Sequence, residues 1–350
     1  MAGNNGQMTA AVLYGCENVR VEQVPIPQIG PDEVLVRVEV ALTCGTDLKV
    51  WKRGYHARMI TPPALFGHEL AGTVVAAGKA VRNVGVGIRV VPANSAPCGG
   101  CFYCRAGQAN LCEDLLFNNG AYAQFLRVPG RIVQQNLLEI PTHVSFRDAA
   151  MAEPLACVLR GVEEMRVPEG ATVAVIGCGA IGLKFVRVLS RRGARVIALG
   201  KRRGQVENAR RLGAAETVDI TETLEPVEAV RRSTSGGRGA DAVVEAVGQP
   251  ATWEWALGMV RRGGSVNLFG GCSKGTEVRM DPSELHYSEI TIRSTFHHTP
   301  RHMREALASI ASGEVDTGEF ITAERPLIDL PRIFEEMKTR NGELKTAVIP

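Results

Sequence analysis

Two textures of apolar spacing divide the chain. Between residues 8 and 92 short β-branched runs, at 10–13, 34–40, 72–76 and 88–91, are punctuated by Pro25, Pro27 and Gly30-Pro31. Runs of that length, bounded by proline and glycine, predict strands. Their spacing predicts an antiparallel barrel-like or sandwich domain. Strand character returns at 121–128. From about residue 154 the pattern changes to apolar runs separated by helical periodicity. Strands are expected at 173–176, 195–199, 217–218, 242–247, 265–269 and 290–293, and helices at 181–192, 204–212, 224–233 and 252–261. That alternation predicts a doubly wound parallel sheet with covering helices. The stretch 300–350 gives two helical patterns and a terminal strand at 346–349, and is expected to return and complete the first domain. The expected organisation is an α/β chain with a β-rich domain over 1–153, a parallel-sheet domain over 154–294, and a returning segment over 295–350.

One stretch carries more than a fold. The apolar run Thr172–Ile176 leads into Gly177, Gly179 and Gly182, which read G-x-G-x-x-G and open a helix through Ala180 and Ile181. Gly177 allows the tight strand-to-helix turn. Gly179, lacking a Cβ, admits a pyrophosphate to the backbone. Gly182 lets helix and strand pack closely, and the helix N-terminus offers N–H groups to the anion. Strand, turn and helix in that order predict a dinucleotide site rather than a glycine-rich turn without a ligand.

Composition narrows the class. The length of 350 residues fits two domains, and 45% hydrophobic residues supply their cores. No apolar run is long enough for a membrane span, and the first residues lack the apolar stretch of a signal peptide. A cytoplasmic location is expected. With 40 basic against 37 acidic residues the net charge is +3, which gives no reason to expect nucleic acid or an acidic membrane as partner. Nine cysteines without an export signal point to reduced thiols used for metal or catalysis.

Four of these cysteines, Cys98, Cys101, Cys104 and Cys112, read C-x2-C-x2-C-x7-C within a lobe, 93–120, rich in glycine and asparagine. A closed four-thiolate shell suits structural zinc. Thiolates at such gaps also hold iron–sulfur clusters. Disulfides are the bland alternative. Having little apolar content, the lobe would draw much of its folding energy from a metal. A second set is dispersed: Cys44-Gly-Thr-Asp47, Gly67-His68-Glu69 and Glu153-Pro154. Each alone reads as ordinary core. Together they offer a thiolate, an imidazole and two carboxylates, about the set of a zinc site with an open position.

In the order and spacing of these motifs the chain resembles the zinc-containing medium-chain alcohol dehydrogenases over essentially its whole length. It is most similar to their polyol, sorbitol and threonine dehydrogenase branch. The resemblance implies a GroES-like barrel, a Rossmann domain and an active site in the cleft between them. It implies that Cys44 and His68 are catalytic zinc ligands, that Glu153 replaces a cysteine ligand, and that Glu69 reaches the metal or supports it. It makes the Cys98, Cys101, Cys104 and Cys112 lobe a structural zinc site. Thr46 matches the hydroxyl that meets the substrate alcohol, and His297-His298 fall where polar substrate contacts are placed. Two departures stand out. Lys49 occupies the position of a relay histidine. The second strand of the parallel sheet ends in Gly200, where an acid should hold the ribose, and Lys201-Arg202-Arg203 follow. That substitution predicts NADP over NAD, since no carboxylate repels the 2′-phosphate and three cations can meet it. The activity expected is reversible oxidation of a secondary alcohol, of polyol, sugar or hydroxy-amino acid type, to a ketone. A non-catalytic nicotinamide-binding sensor on the same fold is the alternative. The edge strand near 290–294 predicts a homodimer or homotetramer.

Overall fold

The computed structural model describes residues 6–56, 58–339 and 343–350. The chain forms two compact units, one comprising Met1–Ala156 with His298–Pro350, the other Cys157–His297.

The first unit is β-rich. Its larger sheet has seven strands, in the order Leu137–Glu139, Arg89–Pro92, Leu70–Ala77, Val34–Leu42, Lys345–Ile349 and Ile321–Pro326, with Phe125–Val128 also paired to Val34–Leu42. The β-branched run at 34–40 becomes the strand Val34–Leu42, which buries alternate residues against the core, as a sheet with one covered face requires. The neighbouring helix Gly45–Arg53 is capped at its start by the Cys44 side chain, which accepts from Thr46 N, and stopped by Gly54 at φ 81°. Trp51 of that helix stacks on Phe334 with centroids 5.6 Å apart, and Phe66 and Tyr122 pack on the same ring. The returning segment contributes the strand Lys345–Ile349, antiparallel to Val34–Leu42.

Three details depart from the pattern reading. The stretch 121–128 is strand only from Phe125, because the N–H groups of Ala121 and Tyr122 bond instead to the carbonyls of Gly67 and Phe66. The strand Asn18–Pro25 carries so many polar residues that its apolar signal is weak. Ile321–Pro326 pairs parallel to Lys345–Ile349, so the sheet is mixed.

The second unit is a six-stranded parallel sheet in the order Glu216–Asp219, Arg195–Gly200, Thr172–Ile176, Ala240–Glu245, Val260–Leu268 and Thr291–Ser294. Its central strands are buried almost throughout, the mark of a sheet covered on both faces. Helices Ala180–Arg191, Arg203–Arg211, Pro226–Arg232 and Pro250–Met259 connect them. The helix expected over 224–233 starts later because Pro226 takes a first-turn position, leaving Leu224 fully exposed. The one expected over 252–261 ends at Met259, where Val260 adopts extended backbone and enters the next strand. Thr291–Ser294 closes one side of the sheet with all four residues exposed. No helix among the described residues is long and apolar enough to cross a membrane.

Candidate active site

The β-rich unit gathers a dense set of buried polar groups. Cys44 Sγ, an imidazole nitrogen of His68 and a carboxylate oxygen of Glu69 all lie within 4.8 Å of one another. His68 and Glu69 are almost fully buried. His68 Nδ1 lies 2.8 Å from Asp47 Oδ1. A carboxylate can only accept, so Nδ1 carries a proton, and Nε2 is the nitrogen left to offer a lone pair when a metal displaces its proton. Burial disfavours the imidazolium, but Asp47 and Cys44 outweigh it and hold the His68 pKa well above 6.5. Glu69 Oε2 pairs with the buried ammonium of Lys345, which also donates to Thr43 O at 2.7 Å. Burial opposes that ammonium, yet Glu69 and Cys44 raise its pKa above 10.5. The second oxygen, Glu69 Oε1, is buried without a hydrogen-bond partner. A buried anionic oxygen left unbonded beside a thiol and an imidazole is costly unless a cation meets it. This donor set fits zinc.

Glu153 is buried in the same unit and is not part of the 4.8 Å group. Burial, opposed by His68 and reinforced by Glu69, pushes its carboxyl up to about 7. Glu153 Oε1 lies 3.7 Å from His298 Nε2, which is 2.9 Å from Asn94 Oδ1. Thr46 is half-buried at the start of the helix that Cys44 caps, and Lys49 is exposed on that helix. His297 belongs to the other unit, with φ 66° and its carbonyl accepting from Arg160 at 3.2 Å.

The cysteine lobe holds a second donor cluster. The Sγ atoms of Cys98, Cys101, Cys104 and Cys112 lie within 4.8 Å of one another, with 4.0 Å between Cys98 and Cys104 and 3.8 Å between Cys101 and Cys112. Four zinc–sulfur bonds of about 2.3 Å in a tetrahedron put sulfurs about 3.8 Å apart. A multi-iron cluster would hold them wider. No disulfide joins them. Backbone N–H groups of Gly100 and Cys101 lower the Cys98 pKa, and those of Glu113 and Cys104 bring Cys101 down to about 6. At Cys98 and Cys101 these donors favour the thiolate, the form a metal binds, whereas burial raises Cys112 and pushes Cys104 up to about 12.

In the parallel-sheet unit, Gly177 sits at φ 101°, where an added Cβ would come within 2.5 Å of Val247. A Cβ on Gly182 would strike the Gly177 carbonyl, whereas one on Gly179 would meet open space. Thus two of the three glycines are needed for the turn itself, and Gly179 leaves the helix N-terminus at Ala180-Ile181 open to a ligand. Gly200 ends its strand with Val206 Cγ2 3.1 Å from the position a Cβ would take. Lys201 N bonds to Gln205 Oε1, Arg202 occupies the N-cap position of the following helix, and Arg203 pairs with Glu207 at 2.9 Å.

Sequence reasoning missed Tyr122, Lys345 and Asn94. Lys345 stands 276 residues from Glu69 and Asn94 stands 204 from His298, separations that leave no periodic trace. The usable signal was a lysine at the start of the β-branched terminal strand, a charge that must find a partner if buried.

Comparison with known proteins agrees with this geometry. Residues 30–141 match the alcohol dehydrogenase GroES-like domain and residues 180–312 the zinc-binding dehydrogenase family. The chain is 30% identical over 351 residues to sorbitol dehydrogenase of Bacillus subtilis, covering 98% of this chain and 97% of the relative. It is 33% identical over 358 residues to L-threonine 3-dehydrogenase of the same organism, covering 99% of each. Among solved structures, a Sinorhizobium meliloti protein described as a zinc-binding dehydrogenase, bound to NADP, superposes with a TM-score of 0.89 at 32% identity over 98% of this chain and 99% of that one. The paired folds, a GroES-like domain and a Rossmann-like sheet, and the full-length similarity lead to one assignment: the chain belongs to the zinc-binding alcohol dehydrogenases, in their polyol and threonine dehydrogenase branch, and is an oxidoreductase of alcohols using a nicotinamide cofactor.

Proposed function

We propose that the enzyme oxidises, reversibly, a secondary alcohol bearing further polar groups, of polyol, sugar or hydroxy-amino acid type, with NADP(H) as preferred cofactor and two zinc ions per chain. The observation that carries the reading is the buried Cys44–His68–Glu69 cluster with Glu69 Oε1 unbonded. Cys44 and His68 would hold one metal, with Glu153 and Glu69 supplying the carboxylates. Zinc held there would supply Lewis-acid chemistry, which favours the deprotonated form of an alcohol hydroxyl. Thr46 Oγ1 would accept a hydrogen bond from the substrate hydroxyl and, as that proton moves onto it, donate its own proton onward to solvent. Lys49, exposed on the same helix, is a candidate for the solvent end of that path. His298 with Asn94 offers a polar wall beside Glu153 that suits a second hydroxyl, and His297 is a further candidate contact. Sorbitol dehydrogenase and L-threonine 3-dehydrogenase as relatives support this substrate class. Cys98, Cys101, Cys104 and Cys112 hold the second, structural metal.

The nicotinamide cofactor supplies the hydride acceptor. Gly177, Gly179 and Gly182, with the N–H groups at Ala180 and Ile181, receive its pyrophosphate. Gly200 offers no carboxylate to a 2′-phosphate, and Lys201, Arg202 and Arg203 bring positive charge to it. The NADP-bound relative supports that preference. The exposed edge strand Thr291–Ser294 would pair across a two-fold axis, giving a dimer or a dimer of dimers, and light scattering at micromolar concentration should return at least twice the 37.6 kDa chain mass.

The test is metal analysis of purified protein together with a panel of polyols, sugars, amino alcohols and simple secondary alcohols, assayed with each nicotinamide. Two zinc ions per chain and turnover of a polar secondary alcohol are expected. A single zinc, or no alcohol-dependent reduction of either cofactor, overturns the reading.

A further inference from the structure

Tyr122 is fully buried, and a core aromatic at this place needs no hydroxyl. Its ring lies edge-on to Phe66 and Phe334, contacts a phenylalanine would make as well. The hydroxyl points elsewhere. It lies 2.7 Å from Asp47 Oδ2 and 3.1 Å from Leu42 O. It can only donate to a carboxylate, and burial followed by the charge of Asp47 keeps its pKa well above 10, so the donor proton stays on. Asp47 therefore accepts at both oxygens, from Tyr122 at Oδ2 and from His68 Nδ1 at Oδ1.

The backbone holds this arrangement firmly. Gly120 N and Ala121 N both donate to Gly67 O, and Tyr122 N donates to Phe66 O. Gly67, at φ 91°, could not carry a side chain, because a Cβ there would come within 2.5 Å of the Tyr122 ring. The glycine before His68 thus makes room for the tyrosine behind it.

We propose that Tyr122 is a positioning residue for His68: by donating to Asp47 it fixes the carboxylate that fixes the imidazole, so that Nε2 faces Cys44 and Glu69 as a ligand. This rests on the reading of Cys44 and His68 as metal ligands given above. Partners behind metal-bound histidines typically change metal affinity by 10- to 100-fold when removed. A tyrosine serving only as core would change melting and nothing at the metal.

The experiment uses the full-length zinc enzyme, Tyr122→Phe, Asp47→Asn and the double variant, with zinc released to a chelator followed in time. Wild type should hold two zinc ions and release them in two phases. Tyr122→Phe should release one of them about ten-fold faster or more, leave the cysteine-lobe zinc at its wild-type rate, and bind NADP(H) as before. In the Asp47→Asn background the tyrosine substitution should add less than about three-fold, because the hydroxyl acts through that carboxylate. Wild-type release from Tyr122→Phe, whether or not melting falls, overturns the inference alone, as does full additivity of the two substitutions. A wild type holding only the cysteine-lobe zinc overturns the underlying metal assignment and the inference with it.

Discussion

The cluster around Cys44 and the turn at Gly177 are the two proposed binding sites for charged groups, and they are made of opposite materials. The first is crowded with side chains: a thiol, an imidazole, carboxylates and an ammonium, nearly all buried and bonded to one another. The second is made by leaving side chains out, so that backbone N–H groups meet the ligand. A site of side chains can be damaged one function at a time, because each group has a named partner. A site of backbone is damaged mainly by adding atoms. The first suits the proposed cation, and the second suits a large anion without specifying which one. Choice of anion then falls to the loop beyond Gly200.

The contrast is broken most severely at His68. His68→Ala should lower turnover by at least roughly a thousandfold, since Lewis-acid stabilisation supplies several kcal/mol and each 1.36 kcal/mol is tenfold. Cofactor affinity, read by fluorescence titration, should stay within about two-fold. Retained turnover would remove His68 from the chemistry, and lost cofactor binding would show that the two sites cannot be separated. Next in size is Cys98→Ser. Zinc content should fall from two to one and melting should drop on the order of 5–10 °C, because the lobe has few apolar residues to replace its metal. Turnover per folded molecule should persist; full zinc content with unchanged melting would strip the lobe of its structural role. The smallest effect belongs to the Gly200 loop. Arg202→Ala with Arg203→Ala should reduce the NADP-over-NAD ratio of kcat/KM by ten- to a hundred-fold, about 1.4–2.8 kcal/mol, with zinc content untouched. An unchanged ratio would mean that the loop does not read the phosphate.

What could be read from the chain follows the same division. The glycine turn was legible because a backbone requirement admits almost one residue type, and three glycines at fixed offsets state it outright. The cysteine lobe was legible because its four thiolates fall within fifteen residues. Cys44, His68 and Glu69, which the structure brings within 4.8 Å of one another, could be singled out only as a set, since each residue alone reads as core. Asp47, Tyr122 and Lys345 were not assigned roles at all. Their partners lie 21, 75 and 276 residues away, and only tertiary packing brings them together. The strands at 34–40 and 173–176 were found because β-branched residues dominate them, whereas Asn18–Pro25 hid behind its polar residues.

The strand Lys345–Ile349 sets a timetable for synthesis. The parallel-sheet unit is one continuous stretch, Cys157–His297, and holds all its own strands, so it can fold as soon as it leaves the ribosome. The β-rich unit cannot be finished then. Glu69 emerges early and buries its charge against a lysine made 276 residues later. Until that lysine arrives, the carboxylate is better left in water than sealed in the core. The half proposed to hold the metal therefore closes last, and a chain released before residue 345 would lack the ammonium that meets Glu69.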